Sequence, residues 1–242
     1  MVCHDFIAVM IICFRPVQWL VICLFCFQAA QLLGQEGSKG LSLLDQTNNS
    51  PLKVIGDGIF QIGEVRLDKN KKTVSFPGSV NLTNVVIEYS VVGSVGKLHE
   101  SLLATQVETY HIHLAMLLLG MTNQTASVES GQPLTGTPIY IWVTWKTDGK
   151  DQKVRLEDLI CKQQQGKPMA RGIWIYNGSR VLQGVFMAQA SGSIASISED
   201  IDALINNPRK GREDDTIWFP NEKAAPPLNA PLTIILEAEQ KF

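Results

Sequence analysis

IYIWVTWK, residues 139–146, is the stretch that decides the fold, because β-branched and aromatic residues fill it almost completely. A Thr-Asp-Gly-Lys turn follows at residues 147–150 and predicts a return strand near residues 152–156. A strand of this kind, closed by a tight turn, indicates a sheet protein. Its tryptophans, with those further along the chain, are predicted to fill the core; a ligand groove is the alternative.

Other strand patterns recur on both sides of this hairpin, separated by short turn signals. They occupy residues 62–68, 73–82, 85–92, 97–105, 172–176, 180–188, 193–197 and 232–238.

Two helices interrupt the strands. The first is predicted over residues 110–119, with Thr109 as its cap and Gly120 as its stop. The second is predicted over residues 199–206, with Ser198 as its cap. Together these patterns predict an α+β fold, mainly antiparallel β with two short helices, in a single domain over residues 51–242.

The N-terminus differs from the rest of the chain. Residues 6–33 are almost wholly apolar, but Arg15 and Pro16 divide them and leave residues 17–30, which is short for a membrane span. This layout predicts a signal peptide over residues 1–30, with an uncleaved anchor as the alternative. Residues 31–50, rich in Gln, Gly, Ser and Asn, are predicted to form a flexible linker. The protein is therefore expected in the periplasm or outside the cell, touching the membrane only through its N-terminal segment.

Charge and cysteine content exclude several kinds of partner. The formal net charge of −2 provides no basic surface for nucleic acid. Four of the five cysteines lie in residues 1–30, so an exported chain keeps only Cys161. One thiol can neither form an internal disulfide nor hold a four-cysteine iron–sulfur cluster.

Three of the four histidines lie within HESLLATQVETYHIH, residues 99–113. On the predicted strand, His99 shares a face with Ser101, whereas His111 and His113 would lie on different sides of the predicted helix. They are interpreted first as structural residues that fix a strand-to-helix corner. The alternative is a zinc-like metal site in which His99, His111 and His113 are ligands and Glu100 is a ligand or general base.

The segment KLHESLLATQVETYHIHLAMLLLG, residues 97–120, resembles the signature of the YdjY-domain family, a bacterial group of exported proteins of unknown function. The resemblance extends over residues 52–236. It includes the following further residues: Val74–Pro77, Glu157, Asp158, Trp174, Asn207, Pro208 and Asp215–Trp218. It implies export and a single domain. It also indicates His99, Glu100, His111 and His113 as the candidate functional residues.

The chain contains no nucleophile elbow, phosphate-binding loop, zinc-protease helix or dinucleotide fingerprint. The sequence therefore favours a non-enzymatic binding or interaction module at the cell envelope, with an unknown partner there or outside the cell. A metal-binding protein or metal-dependent hydrolase that uses the histidine region is the alternative.

Overall fold

The computed structural model describes residues 52–122, 133–163 and 166–239. In these ranges the chain forms strands β1 Leu52–Gly56, β2 Ile59–Ile62, β3 Val65–Asp68, β4 Thr73–Val80, β5 Tyr89–Gly93, β6 Ser101–Thr105, β7 Thr137–Thr147, β8 Lys150–Arg155, β9 Ile160–Lys162, β10 Trp174–Tyr176, β11 Val181–Leu182, β12 Val185–Phe186, β13 Ser193–Ser196, β14 Ile205–Asn206, β15 Trp218–Pro220 and β16 Pro231–Ala238. Its helices there are α1 Thr109–Leu118, α2 Met187–Ser191 and the single 3₁₀ turns Leu98–Glu100 and Leu156–Leu159.

The main sheet closes on itself. The 8-stranded ring runs in the order β4, β16, β7, β10, β14, β13, β5, β6 and returns to β4. The closing pairs are Ser79 with Ala104 and Val80 with Leu103. Closure removes the open edges that a flat sheet of this size would expose.

The barrel is mixed, so the prediction of a mainly antiparallel sheet is correct only as a β-rich fold with two helices. Strands β5 and β6 run parallel, as do β13 and β14. Alternating apolar residues specify that a segment is extended, but they do not specify the direction of its neighbour.

A three-stranded meander branches from the barrel. Strands β1, β2 and β3 pair in sequence, and β3 joins β4 through Arg66–Ser75, Leu67–Val74 and Asp68–Thr73. The same edge of β4 accepts β6 further along. One long strand therefore carries both the meander and the barrel closure.

The interior of the barrel is packed with side chains from alternate positions of its strands. On β7, Ile139, Ile141 and Val143 are fully buried, whereas Trp142 and Trp145 are only half-buried. Trp174 and Trp218 lie in the core as predicted. Trp145 packs against the core from its edge, so the core prediction was wrong only for Trp142, which lies on the outer face.

The first helix, α1, agrees with the prediction apart from its cap. Glu108, not Thr109, is the N-terminal cap residue, and the Tyr110 amide donates to Oε1 of Gln189 over 2.9 Å. Gly120 follows the helix with φ +93°, as expected for a helix stop.

The predicted helix over residues 199–206 does not form. Residues 203–207 are all buried, which a single amphipathic helix cannot achieve, and β14 pairs with β10 and β13 instead. The second helix is α2, which begins at the end of the segment 180–188 that the sequence predicted as a strand. That segment forms the hairpin β11–β12 and the start of α2.

Residues 51–242 form one compact unit. The predicted signal peptide and linker, residues 1–30 and 31–50, lie outside the described residues. Within the described ranges, no helix is long and apolar enough to cross a lipid bilayer.

Candidate functional site

His99 lies in the 3₁₀ turn before β6, and not on a strand as predicted. The turn forms because the Glu100 amide donates to the Lys97 carbonyl over 3.2 Å and the Ser101 hydroxyl donates to the same carbonyl over 2.5 Å. The His99 side chain is 80% exposed, and its Nε2 lies 3.6 Å from Oε2 of Glu100. His99 and Glu100 are therefore in contact at the surface.

His111 and His113 have separate neighbours. His111 lies against the turn after β2, since a Cβ on Gly63 would come within 2.5 Å of its Nδ1. His113 is buried; its Nδ1 lies 2.8 Å from the Tyr176 hydroxyl, and its ring centroid lies 4.7 Å from that of Phe186. Burial lowers the pKa of His113, which keeps its imidazole neutral at neutral pH.

The structure does not bring the four predicted metal ligands together at one site. Only His99 and Glu100 are in contact with each other. Across residues 52–122, 133–163 and 166–239, no group of three or more His, Cys, Asp or Glu side chains is placed to hold a metal ion.

A cluster that sequence reasoning missed surrounds Glu100. Nζ of Lys97 lies 3.1 Å from Oε1 of Glu100, 3.9 Å from Oε2 of Glu88 and 5.1 Å from the Tyr89 ring centroid. Burial and the nearby Glu100 carboxylate raise the pKa of Glu88. Burial, followed by the Asp200 carboxylate, raises the pKa of Tyr89 to about 12. Two carboxylates and one ammonium group can hold a proton or a cation between them.

The parallel pairing of β5 and β6 creates this cluster. Tyr89 pairs with Ser101, and the Glu88 amide donates to the Glu100 carbonyl over 2.9 Å, so Glu88 and Glu100 become neighbours. No local pattern in the sequence specifies a parallel pair, and for that reason the cluster could not be predicted.

An open cleft of about 670 Å³ lies where β7 and β16 separate. The pairing between β7 and β16 ends at Thr144 and Thr233, so Trp145 has no partner on β16. The cleft is lined by Thr144, Trp145, Lys146, Asp151, Gln152, Lys153 and Ala230–Thr233.

Trp145 provides the aromatic wall of this cleft. Its indole Nε1 donates to Oγ1 of Thr147 over 2.9 Å, which fixes the orientation of the ring. Lys146 and Asp151 form an exposed ion pair of 3.0 Å at the rim. The cleft thus combines one flat apolar surface with hydroxyl, amide and charged groups, a combination typical of small-ligand sites.

A second charged cluster lies at the 3₁₀ turn Leu156–Leu159, around a fully buried carboxylate. Oε1 of Glu157 accepts hydrogen bonds from Nη2 of Arg155 over 2.8 Å, from Nη2 of Arg209 over 2.7 Å and from the Gly172 amide over 3.0 Å. Glu157 is fully buried, and its single carboxylate is shared by both guanidinium groups. This cluster connects the turn to the loops that contain Gly172 and Arg209, and it therefore stabilises the fold.

Comparison with known proteins gives one match. The family described as YdjY domain matches residues 65–237, a range that contains the carboxylate cluster, the cleft and the buried ion pairs. No curated protein and no solved structure matches the chain.

Proposed function

The chain belongs to the YdjY domain family, and we propose that within it this protein is an exported, non-enzymatic binding domain of the cell envelope. Its ligand is a neutral oligosaccharide that binds in the cleft beside Trp145. The observation that carries this proposal is the cleft itself, with its oriented indole and polar rim.

The chemistry of the cleft fits a sugar ring. One face of a pyranose presents C–H groups that pack on an indole ring, while its hydroxyl groups need hydrogen-bond partners at the edge. Thr144, Gln152 and Asp151 offer such partners around Trp145. The lining residues stand mainly on paired strands of β7, β8 and β16, so the site is formed before the ligand arrives.

Export is the second part of the proposal. The divided apolar N-terminus and the small residues Ala29 and Ala30 support cleavage after Ala30. Mass spectrometry of the protein recovered from its source checks this point, because a mature chain beginning at Met1 would rule out a cleaved signal.

The binding site is tested by calorimetric titration of wild-type protein and Trp145→Ala with a panel of neutral oligosaccharides and soluble envelope glycan fragments. We expect saturable binding by the wild type and at least about tenfold weaker binding by the variant, because the stacking surface is removed.

Trp142→Ala is the matched control. Trp142 lies on the same strand, on the opposite face of the sheet from Trp145, and does not line the cleft; Nζ of Lys153 lies 4.5 Å from its ring centroid. Its replacement should leave binding unchanged. Equal losses in both variants, or no binding across the whole panel, would contradict the proposed site.

A metal function is the second candidate, favoured by the contact between His99 and Glu100 beside Glu88. His111 and His113 lie against Gly63 and Tyr176 instead, so they would have to move to complete the ligand set. Elemental analysis of untagged protein should then find about one equivalent of zinc per chain, as a three- or four-ligand site requires. The zinc should be lost in a His99→Ala/Glu100→Gln double variant. Protein that contains no zinc, or retains it in the variant, would exclude these ligands.

A further inference from the structure

The hairpin β11–β12 exposes aliphatic side chains on both of its faces. Val181 pairs with Phe186 and Leu182 pairs with Val185, so the two pairs point to opposite sides of the hairpin. Val181 is 65% exposed, and Leu182 and Val185 are each 49% exposed. The turn residues Gln183 and Gly184 both have positive φ, which defines a tight two-residue turn at the tip.

Helix α1 continues this apolar surface. The Tyr110 ring meets the Phe186 ring edge-on with centroids 6.2 Å apart, so helix and hairpin are in contact. On the outer side of the helix, Tyr110 is 51% exposed, Leu117 39% and Leu118 36%. A mostly apolar helix is normally covered on all sides, but α1 leaves these three side chains partly in water.

Charged side chains are absent from the hairpin tip. Residues 181–188 read VLQGVFMA. The nearest charge along the chain, Arg180, is held by Asp202 through an ion pair of 2.7 Å. The tip therefore offers no charge by which an ionic partner could be recognised.

We propose that this surface, the β11–β12 tip with the outer side of α1, inserts into the interfacial layer of a lipid bilayer. A protein partner with a flat surface would cover one face of the hairpin and leave the other in water. Hydrocarbon surrounds an inserted tip and covers both faces at once. This inference does not depend on the oligosaccharide cleft.

The lack of charge sets the lipid preference. Binding to zwitterionic phosphatidylcholine should be as strong as binding to anionic lipid, and added salt should not weaken it. A basic membrane-binding surface would show the opposite behaviour on both counts.

The test places an environment-sensitive fluorescent amino acid at Gln183 of the full chain. Vesicles of phosphatidylcholine that carry a brominated acyl chain are then added. We expect a blue shift and quenching of the probe, because bromine quenches only by contact within the bilayer. A probe at this position reports on the tip itself, even when another segment also binds the vesicle.

The matched control carries the same probe at Asp148. Asp148 is the first residue of the β7–β8 turn and has φ +51°, the same value as Gln183, but its hairpin is polar at the tip. This probe should remain unquenched. In Leu182→Glu/Val185→Glu, the partition of the Gln183 probe should fall at least about tenfold, since two carboxylates would have to enter the apolar layer.

Three outcomes would overturn the proposal. The first is an unquenched Gln183 probe in the wild type. The second is equal quenching at Gln183 and Asp148. The third is a blue shift at Gln183 that grows with protein concentration without lipid, which would identify a second copy of the chain as the occupant.

Discussion

Glu157→Ala is expected to lower the free energy of unfolding by about 3–5 kcal/mol, the range typical of a broken buried ion pair. The variant leaves the guanidinium groups of Arg155 and Arg209 buried without the carboxylate that both now share. The Gly172 amide loses its acceptor as well. Urea denaturation of the two proteins measures the difference, with an unchanged m-value showing that the unfolded state is the same.

Asp151→Ala is the control for an exposed ion pair. Asp151 and Lys146 are 3.0 Å apart, but both side chains are largely in water. Loss of this ion pair should therefore not change the free energy of unfolding measurably. Glu157→Gln should lie between the two, because the amide keeps one acceptor oxygen but not the charge. Equal stabilities of Glu157→Ala and Asp151→Ala would show that the buried cluster does not stabilise the fold.

Gly192→Ala is expected to destabilise the protein by about 2–5 kcal/mol, combining left-handed strain with overpacking. Gly192 follows α2 with φ +68°. A Cβ there would lie 2.5 Å from the Gly96 nitrogen and 2.6 Å from the Gly96 Cα, so backbone would have to move. The displacement would also strain the bond from the Gly93 amide to the Gly192 carbonyl, now 2.8 Å. Thermal or urea unfolding gives the result.

Gly149→Ala separates the two causes. Gly149 has φ +73°, but no atom lies within 4 Å of a Cβ built there. Its replacement should cost only the left-handed strain of about 1–2 kcal/mol. The close approach between the Gly96 and Gly192 backbones is unimportant for stability if both variants lose the same amount.

The sequence specified strands more reliably than their arrangement. Alternating residues located β7, β4 and β16, because a side-chain period of two is a local property. The parallel pairs join segments that are close in the chain, such as Tyr89 with Ser101, yet side-chain alternation carries no information on the direction of a neighbouring strand or on the closure of a barrel.

The incorrect helix over residues 199–206 has a local cause. Ser198, Glu199 and Asp200 resemble a helix start, but Oδ1 of Asp200 accepts from the Asp202 amide over 2.8 Å and forms a turn. Oδ1 of Asn206 then accepts from the Asp200 amide over 3.2 Å and closes the loop. Side-chain hydrogen bonds of Asp and Asn compete with helix formation in this way.

The candidate residues show the same division. His99, His111 and His113 lie close together in the sequence, but the fold gives each of them different neighbours. The cleft beside Trp145 depends on β16 leaving β7 after Thr233 while it continues along β4, a divergence that appears only after the strands are paired.

The position of β16 has a consequence for how this protein reaches its native state. Strand β16 covers residues 231–238 and lies between β4 and β7, to which it pairs along most of its length. Without β16 the other seven strands of the ring are still joined through β4 and β6, but the barrel stays open between β4 and β7. Pairings of such long sequence separation fold slowly. Until β16 pairs, the facing edges of β4 and β7 are open to other strands, so incorrect strand pairing is the main hazard while this protein folds.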